Sequence, residues 1–193
     1  MINNAGMIAS SITGRSKQGI EQAFAVNYLG HFLLTLQLLK FLHKGAPSRV
    51  INLSSLTHSS ARIDFNSLEY WKLLIEEGAD IHKEPLWTCS SMTPSLNSLY
   101  AQTKLAMLLF SNELSNRFSH LGINSNAICP GVVATNILQE FGFFIREVGP
   151  YAMKLITVVG YGVTADTAAK TPAMLCSPAV CSFILFSHSF TEV

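Results

Sequence analysis

An α/β fold, with a parallel sheet and helices on both of its faces, is what this 193-residue sequence predicts. Two apolar runs of strand length, residues 50–54 and 123–128, each follow a long stretch in which apolar residues recur at helical spacing. Glycines at Gly45 and Gly122 punctuate the two helix-to-strand junctions. The resulting order of strand, helix, strand, helix implies right-handed crossovers between parallel neighbours. A chain of this length is expected to bury one sizeable core as a single domain, and it contains no internal repeat.

The first six residues leave little room for a strand before an Asn-Ala-Gly turn, so the chain opens at what reads as the end of one. From residue 17 to about 43, Ile20, Phe24, Tyr28, Phe32, Leu36 and Leu39 mark a long, mostly buried helix that Gly45 and Pro47 close. Residues 50–54 then form an interior strand. The segment 56–98 is the least regular; Leu68, Trp71, Leu74 and Ile75 sketch a helix within 63–77, and Gly78, Pro85 and Pro94 break the rest of it. Ser98 is placed to cap a second long helix that runs to about Phe118, with Leu105, Leu108, Leu109 and Leu114 on one broad face. Residues 123–128 alternate as a strand and end at Pro130 and Gly131. A looser apolar stretch occupies 137–163, Thr164 caps a helix over 165–175, and residues 180–186 are expected to add a last strand.

Composition narrows the function. Charged residues make up 13% of the chain, about half the usual share, so apolar surface is expected to stay uncovered. A net charge of +1 without any basic block excludes the electrostatic footprint of a nucleic-acid binder. Cys89, Cys129, Cys176 and Cys181 form no C-x-x-C pair, and no basic-plus-apolar leader precedes the first element, which points to a reduced, intracellular chain. Residues 22–39 and 171–191 lack Asp, Glu, Lys and Arg, but amides, prolines and serines interrupt both, which suits peripheral membrane contact better than a span. His31, His43, His58 and His82 have no metal-ligand spacing, and there is no G-x-S-x-G elbow. The glycines at 14 and 19 lack the spacing of a phosphate loop, and the glycosylation pattern at Asn52 lies in a strand expected to be buried.

The chemistry concentrates on Tyr100 and Lys104, one helical turn apart and therefore on one helix face, where both can touch a single ligand. A phenol normally ionises near pH 10, and bringing it to pH 7 takes about 4 kcal/mol of differential stabilisation. A cation within about 4 to 6 Å supplies one to three units of that shift. Around the pair stand, in order, Asn3, Asn4, Ala5 and Gly6; Asn27 in a Val-Asn-Tyr-Leu-Gly run; Ser54 and Ser55 at a strand end; and Cys129, Pro130, Gly131 and Thr135.

Taken together these motifs resemble the short-chain dehydrogenase/reductase family, most closely its retinol dehydrogenase and WW-domain oxidoreductase branch, over about residues 1–176. The resemblance implies a Rossmann-like sheet and an NAD(P)(H)-dependent oxidoreductase that moves a hydride between nicotinamide and an apolar alcohol or carbonyl of retinoid or steroid type. It implies Tyr100 as acid/base, Lys104 as its cationic partner and ribose ligand, Ser55 as the substrate-oxygen donor, and Asn27 as the anchor of a water linked to the lysine. Asn4, Ala5, Gly6, Ser54, Pro130, Gly131 and Thr135 would line the cofactor beside Tyr100 and Lys104, with NADP ahead of NAD and no metal. The family's T-G-x-x-x-G-x-G segment is not found in this sequence. The chain is therefore read as one partial domain over 1–193 that lacks the first βαβαβ half, carries an insertion at 56–98 and a divergent tail at 180–193, and leaves one sheet edge open. A homo-oligomer or another protein partner is expected, in the cytoplasm or at a membrane such as the endoplasmic reticulum. The alternative is a catalytically dead fragment that acts as an interaction module through its apolar helices.

Overall fold

In a computed structural model that describes residues 1–9, 11, 14–63, 96–131 and 164–176, three parallel strands lie in the order β1 (Ile2–Asn3), β2 (Ser48–Leu53), β3 (Ile123–Ile128). The register pairs Ile2 with Ile51 and Asn3 with Asn52 on one side of β2, and runs from Ser48 with Ile123 to Leu53 with Ile128 on the other. The opening strand β1 is thus two residues long and directly precedes the Asn-Ala-Gly turn.

The first helix begins later than residue 17. Glu21 caps it, its carboxylate accepting from the backbone N–H groups of Ala23 at 2.8 Å and Phe24 at 2.7 Å. These are donors that a helix N-terminus otherwise leaves unsatisfied. The helix then runs as α1 (Gln22–Phe24), a π-helical turn (Ala25–Leu29) and α2 (Gly30–Lys44). The second helix, α3 (Leu96–Phe118), starts two residues before Ser98, which therefore lies inside its first turn rather than at its cap. Gly122, in the left-handed region at φ +76°, turns the chain from the short 3-10 segment Ser119–Leu121 into β3; a Cβ there would stand 2.8 Å from the Ala46 side chain, so glycine is needed twice over. Thr164 caps α4 (Ala165–Cys176) through the N–H of Thr167, as expected.

Strand alternation divides the core. Val50 and Ile123 meet Phe110 and Leu114 of α3, with Tyr28, Phe32, Leu39 and Leu42 of the first helix around them. On the other face Ile51 and Leu53 pack on Leu175 of α4, and the Arg49 guanidinium donates to the Leu175 carbonyl at 2.6 Å, satisfying a helix C-terminus. Helices therefore cover both faces. Polar rungs cross the sheet on the α3 side: the Asn3 Nδ2 donates to Asn52 Oδ1 at 2.8 Å and to Thr35 Oγ1 at 3.1 Å, the Asn52 Nδ2 donates to Ser125 Oγ at 3.0 Å, and Ser125 meets Ser111 at 2.8 Å. Asn52 is fully buried and so no glycan acceptor. The first helix exposes Leu33 at 57% and Phe41 at 56%, which is where the scarcity of charge appears. The segment over 22–44 is long and apolar enough to cross a membrane by length and composition. The helix sketched in 63–77, most of the 56–98 insertion, the stretch 137–163 and the strand expected at 180–186 lie outside the described residues.

Candidate active site

Parallel strands bring their carboxyl ends to one edge, where open α/β sheets bind ligands. Here β1 delivers Asn4, Ala5 and Gly6, all exposed; β2 delivers Ser54 and Ser55; β3 delivers Cys129, Pro130 and Gly131. Gly131 has φ +79°, and among the described residues a Cβ there would meet nothing within 4 Å. Thr135 lies outside the described residues.

The helix α3 brings Tyr100 and Lys104 to the same edge. The Lys104 Nζ lies 5.5 Å from the centroid of the Tyr100 ring, and Ser55 is near enough to the Tyr100 phenol to pull its pKa down. Ser55 also caps the 3-10 turn Leu56–Ser60, accepting from the Thr57 N–H at 3.4 Å, so its position is set by backbone. Lys104 is buried, and its Nζ donates to the Leu53 carbonyl at 2.9 Å. Burial pulls its pKa down to about 8, against a smaller upward pull from the Cys129 thiol. Burial likewise raises Tyr100 above the ordinary tyrosine value, with Ser55 opposing it and Cys129 adding to it. The lowering expected from the sequence is the joint effect of Lys104 and a positively charged nicotinamide ring. In the chain by itself, desolvation by burial is the largest influence on the phenol.

Asn27 sits in the π-helical turn, 1% exposed. Its Oδ1 accepts from the Met7 N–H at 2.8 Å, and its Nδ2 donates to the Met7 carbonyl at 2.8 Å and to Thr103 Oγ1 at 3.1 Å. Both amide hydrogens are therefore used within the protein. Its backbone carbonyl meets the His31 ring Nδ1 at 3.0 Å. Asn27 and Lys104 nevertheless meet at one spot: a Cβ on Gly6 would lie 3.4 Å from the Lys104 Nζ and 3.5 Å from the Asn27 Oδ1. Ser54 is buried with its hydroxyl donating to the Lys104 carbonyl at 2.8 Å, so it grips α3 rather than facing the open edge. Thr103, His31 and the Leu53 carbonyl were not singled out from sequence; for Thr103 the available signal was a small polar residue at a buried mid-helix position, which must find a partner.

A phenol, a hydroxyl and an ammonium at the end of a parallel sheet can hold and move a proton at an adjacent oxygen. The exposed Gly6, which carries no side chain beside the Lys104 ammonium, and Gly131, clear within 4 Å among the described residues, permit close approach of a ligand beside that trio. These residues fit the nicotinamide and ribose end of a dinucleotide.

Residues 1–66 match the profile of the short chain dehydrogenase family. Retinol dehydrogenase 13 of Homo sapiens is 38% identical over 142 residues, 74% of this chain and 37% of that protein. Retinol dehydrogenase 14 of Mus musculus is 34% identical over 180 residues, 93% of this chain and 47% of that protein. The chain thus spans less than half the length of these relatives. Among solved structures, a 3-alpha-hydroxysteroid dehydrogenase from Pseudomonas sp. B-0831 complexed with NADH superposes with a TM-score of 0.60 at 20% identity, covering 95% of this chain and 66% of that one. An NADPH-bound carbonyl reductase from chicken fatty liver gives 0.53 at 19% identity, covering 92% and 57%. Both likenesses establish the Rossmann-type architecture.

Proposed function

From a chain that belongs to the short-chain dehydrogenase/reductase family, on its retinol dehydrogenase-like branch, we propose the catalytic part of an NAD(P)(H)-dependent oxidoreductase acting on an apolar alcohol or carbonyl of retinoid or steroid type. The observation that carries this reading is the placement of the Lys104 ammonium 5.5 Å from the Tyr100 ring centroid on one face of α3, at the strand end that brings Ser55 near the phenol. Tyr100 gives or takes the proton at the substrate oxygen, and Ser55 holds that oxygen. Lys104 supplies the positive charge that favours the phenolate, and Asn27 fixes the turn at Gly6 against which the lysine rests. The coenzyme, when bound, supplies or accepts the hydride. Asn4, Ala5, Gly6, Pro130, Gly131 and Thr135 would line it, with Ser54 acting through α3. NADP is preferred to NAD by family resemblance. We read residues 1–193 as one partial domain whose segments 56–98 and 136–160 shape the substrate cleft.

Two measurements test this. The full chain is expected to bind NADPH or NADH by fluorescence or calorimetry, and absence of binding removes the enzyme reading for this polypeptide. Tyr100→Phe is expected to retain that binding while losing about 10²- to 10⁴-fold in turnover; unchanged turnover takes Tyr100 out of its role.

A second reading rests on the exposed Leu33, Leu34 and Phe41 of the first helix. This face would seat another copy, another protein or the surface of a membrane such as the endoplasmic reticulum, with or without catalysis. Loss of dinucleotide binding together with retained self-association would favour it.

A further inference from the structure

Thr103 is completely buried on α3, immediately before Lys104. Its hydroxyl donates to the Tyr100 carbonyl at 2.7 Å, the back-bond that a helical threonine makes to the preceding turn. The single hydroxyl proton is spent there, so Thr103 can only accept from Asn27, whose Nδ2 lies 3.1 Å away. Asn27 in turn exchanges two hydrogen bonds with the backbone of Met7, the residue after Gly6. A continuous path therefore runs from the Tyr100 carbonyl through Thr103 and Asn27 to the turn at the end of β1. The Ser54 hydroxyl holds the Lys104 carbonyl from the other side.

We propose that Thr103 is a positioning residue: its hydroxyl locks the Asn27 amide, and through it the Gly6 turn, to the helical turn that carries Tyr100 and Lys104, and so sets where the Lys104 ammonium stands. The catalytic meaning of this rests on the oxidoreductase reading; the geometry does not. Without the hydroxyl one Asn27 N–H is left buried and unpaired, and the amide must shift or admit a replacement partner. Either movement changes the space over Gly6, where the Asn27 oxygen and the lysine meet.

The test compares Thr103→Val, which removes the hydroxyl at nearly constant volume, with Thr103→Ser, which keeps it. In the full chain Thr103→Val is expected to lower kcat about tenfold with KM for NADPH changed less than twofold, and to move the NMR resonance of the Lys104 ammonium. Thr103→Ser is expected to stay within twofold of the parent and to leave that resonance in place. Equal resonances in the two variants overturn the proposal, even if Thr103→Val melts at a lower temperature. The NMR comparison needs no dinucleotide, so it judges Thr103 even where the oxidoreductase reading has failed. Should Thr103→Val not fold, hydrogen exchange in the parent chain decides: both Asn27 Nδ2 protons are expected to be protected, and one fast-exchanging proton overturns the assignment.

Discussion

The two long helices on one face of the sheet differ in what they bury. Along α3 the buried positions include Gln102, Thr103, Lys104 and Ser111 among Leu99, Met107, Phe110 and Leu114, whereas α2 buries His31 and Thr35 and leaves Leu33, Leu34, Leu36 and Phe41 in the open. One helix carries polar groups inward and the other carries apolar groups outward. Most buried polar groups are bonded, and apart from the Gln102 Oε1 the inward set of α3 comes with a network that ties it to β2, to β3 and to the π-helical turn. Surplus apolar surface costs the free chain solubility rather than structure. On the function proposed above, chemistry is concentrated on α3 and capacity for association on α2.

That contrast can be broken most forcefully at its hinge. Asn27→Ala removes the shared partner of Met7 and Thr103, and we expect a loss of about 2 to 4 kcal/mol in urea denaturation, since buried backbone and hydroxyl groups are left unpaired. A loss under 1 kcal/mol would make the network incidental.

Lys104 provides a pH signature of smaller size. Its pKa is about 8 in the folded chain against an ordinary value of 10.5, so the unfolded chain binds more protons between those limits and stability rises with pH through that window. The parent is therefore expected to gain, relative to Lys104→Met, up to about 3 kcal/mol on going from pH 7 to pH 10. A flat difference would mean that the ammonium is solvated. Tyr100, raised by burial, acts in the opposite sense only above pH 10, where the folded chain keeps a proton that the unfolded one gives up.

The outward face should respond least in stability. Leu33→Ser with Phe41→Ser is expected to change unfolding free energy by under about 0.5 kcal/mol per site, while light scattering registers reduced self-association. A large destabilisation would place these side chains in a core.

The periodic and compositional features were legible in the sequence. Residues 50–54 and 123–128 announced the central strands, Gly122 the turn before β3, Thr164 the cap of α4, and the Tyr100 to Lys104 spacing their shared helix face. What escaped depends on partners distant in the chain. Glu21 serves as an N-cap although Ser, Thr, Asp and Asn are the residues that usually signal one. Ser54 looked like a ligand-facing serine, yet its acceptor is a carbonyl 50 residues on. Thr103 is joined to a side chain 76 residues away, which no local period encodes. The desolvation that raises the Tyr100 pKa in the chain by itself was equally invisible.

The side-chain rungs that run through Asn3, Asn52 and Ser125 act as an index mark on the strands. Sliding a strand by one residue, about 3.3 Å, would turn its polar rung toward the aliphatic face under Leu175. The same slide would carry the tip of that strand out of hydrogen-bonding reach, so that the Leu53 carbonyl at the end of β2 could no longer hold the ammonium on α3. The alignment of three amides and hydroxyls in the interior thereby sets the working distance at the rim.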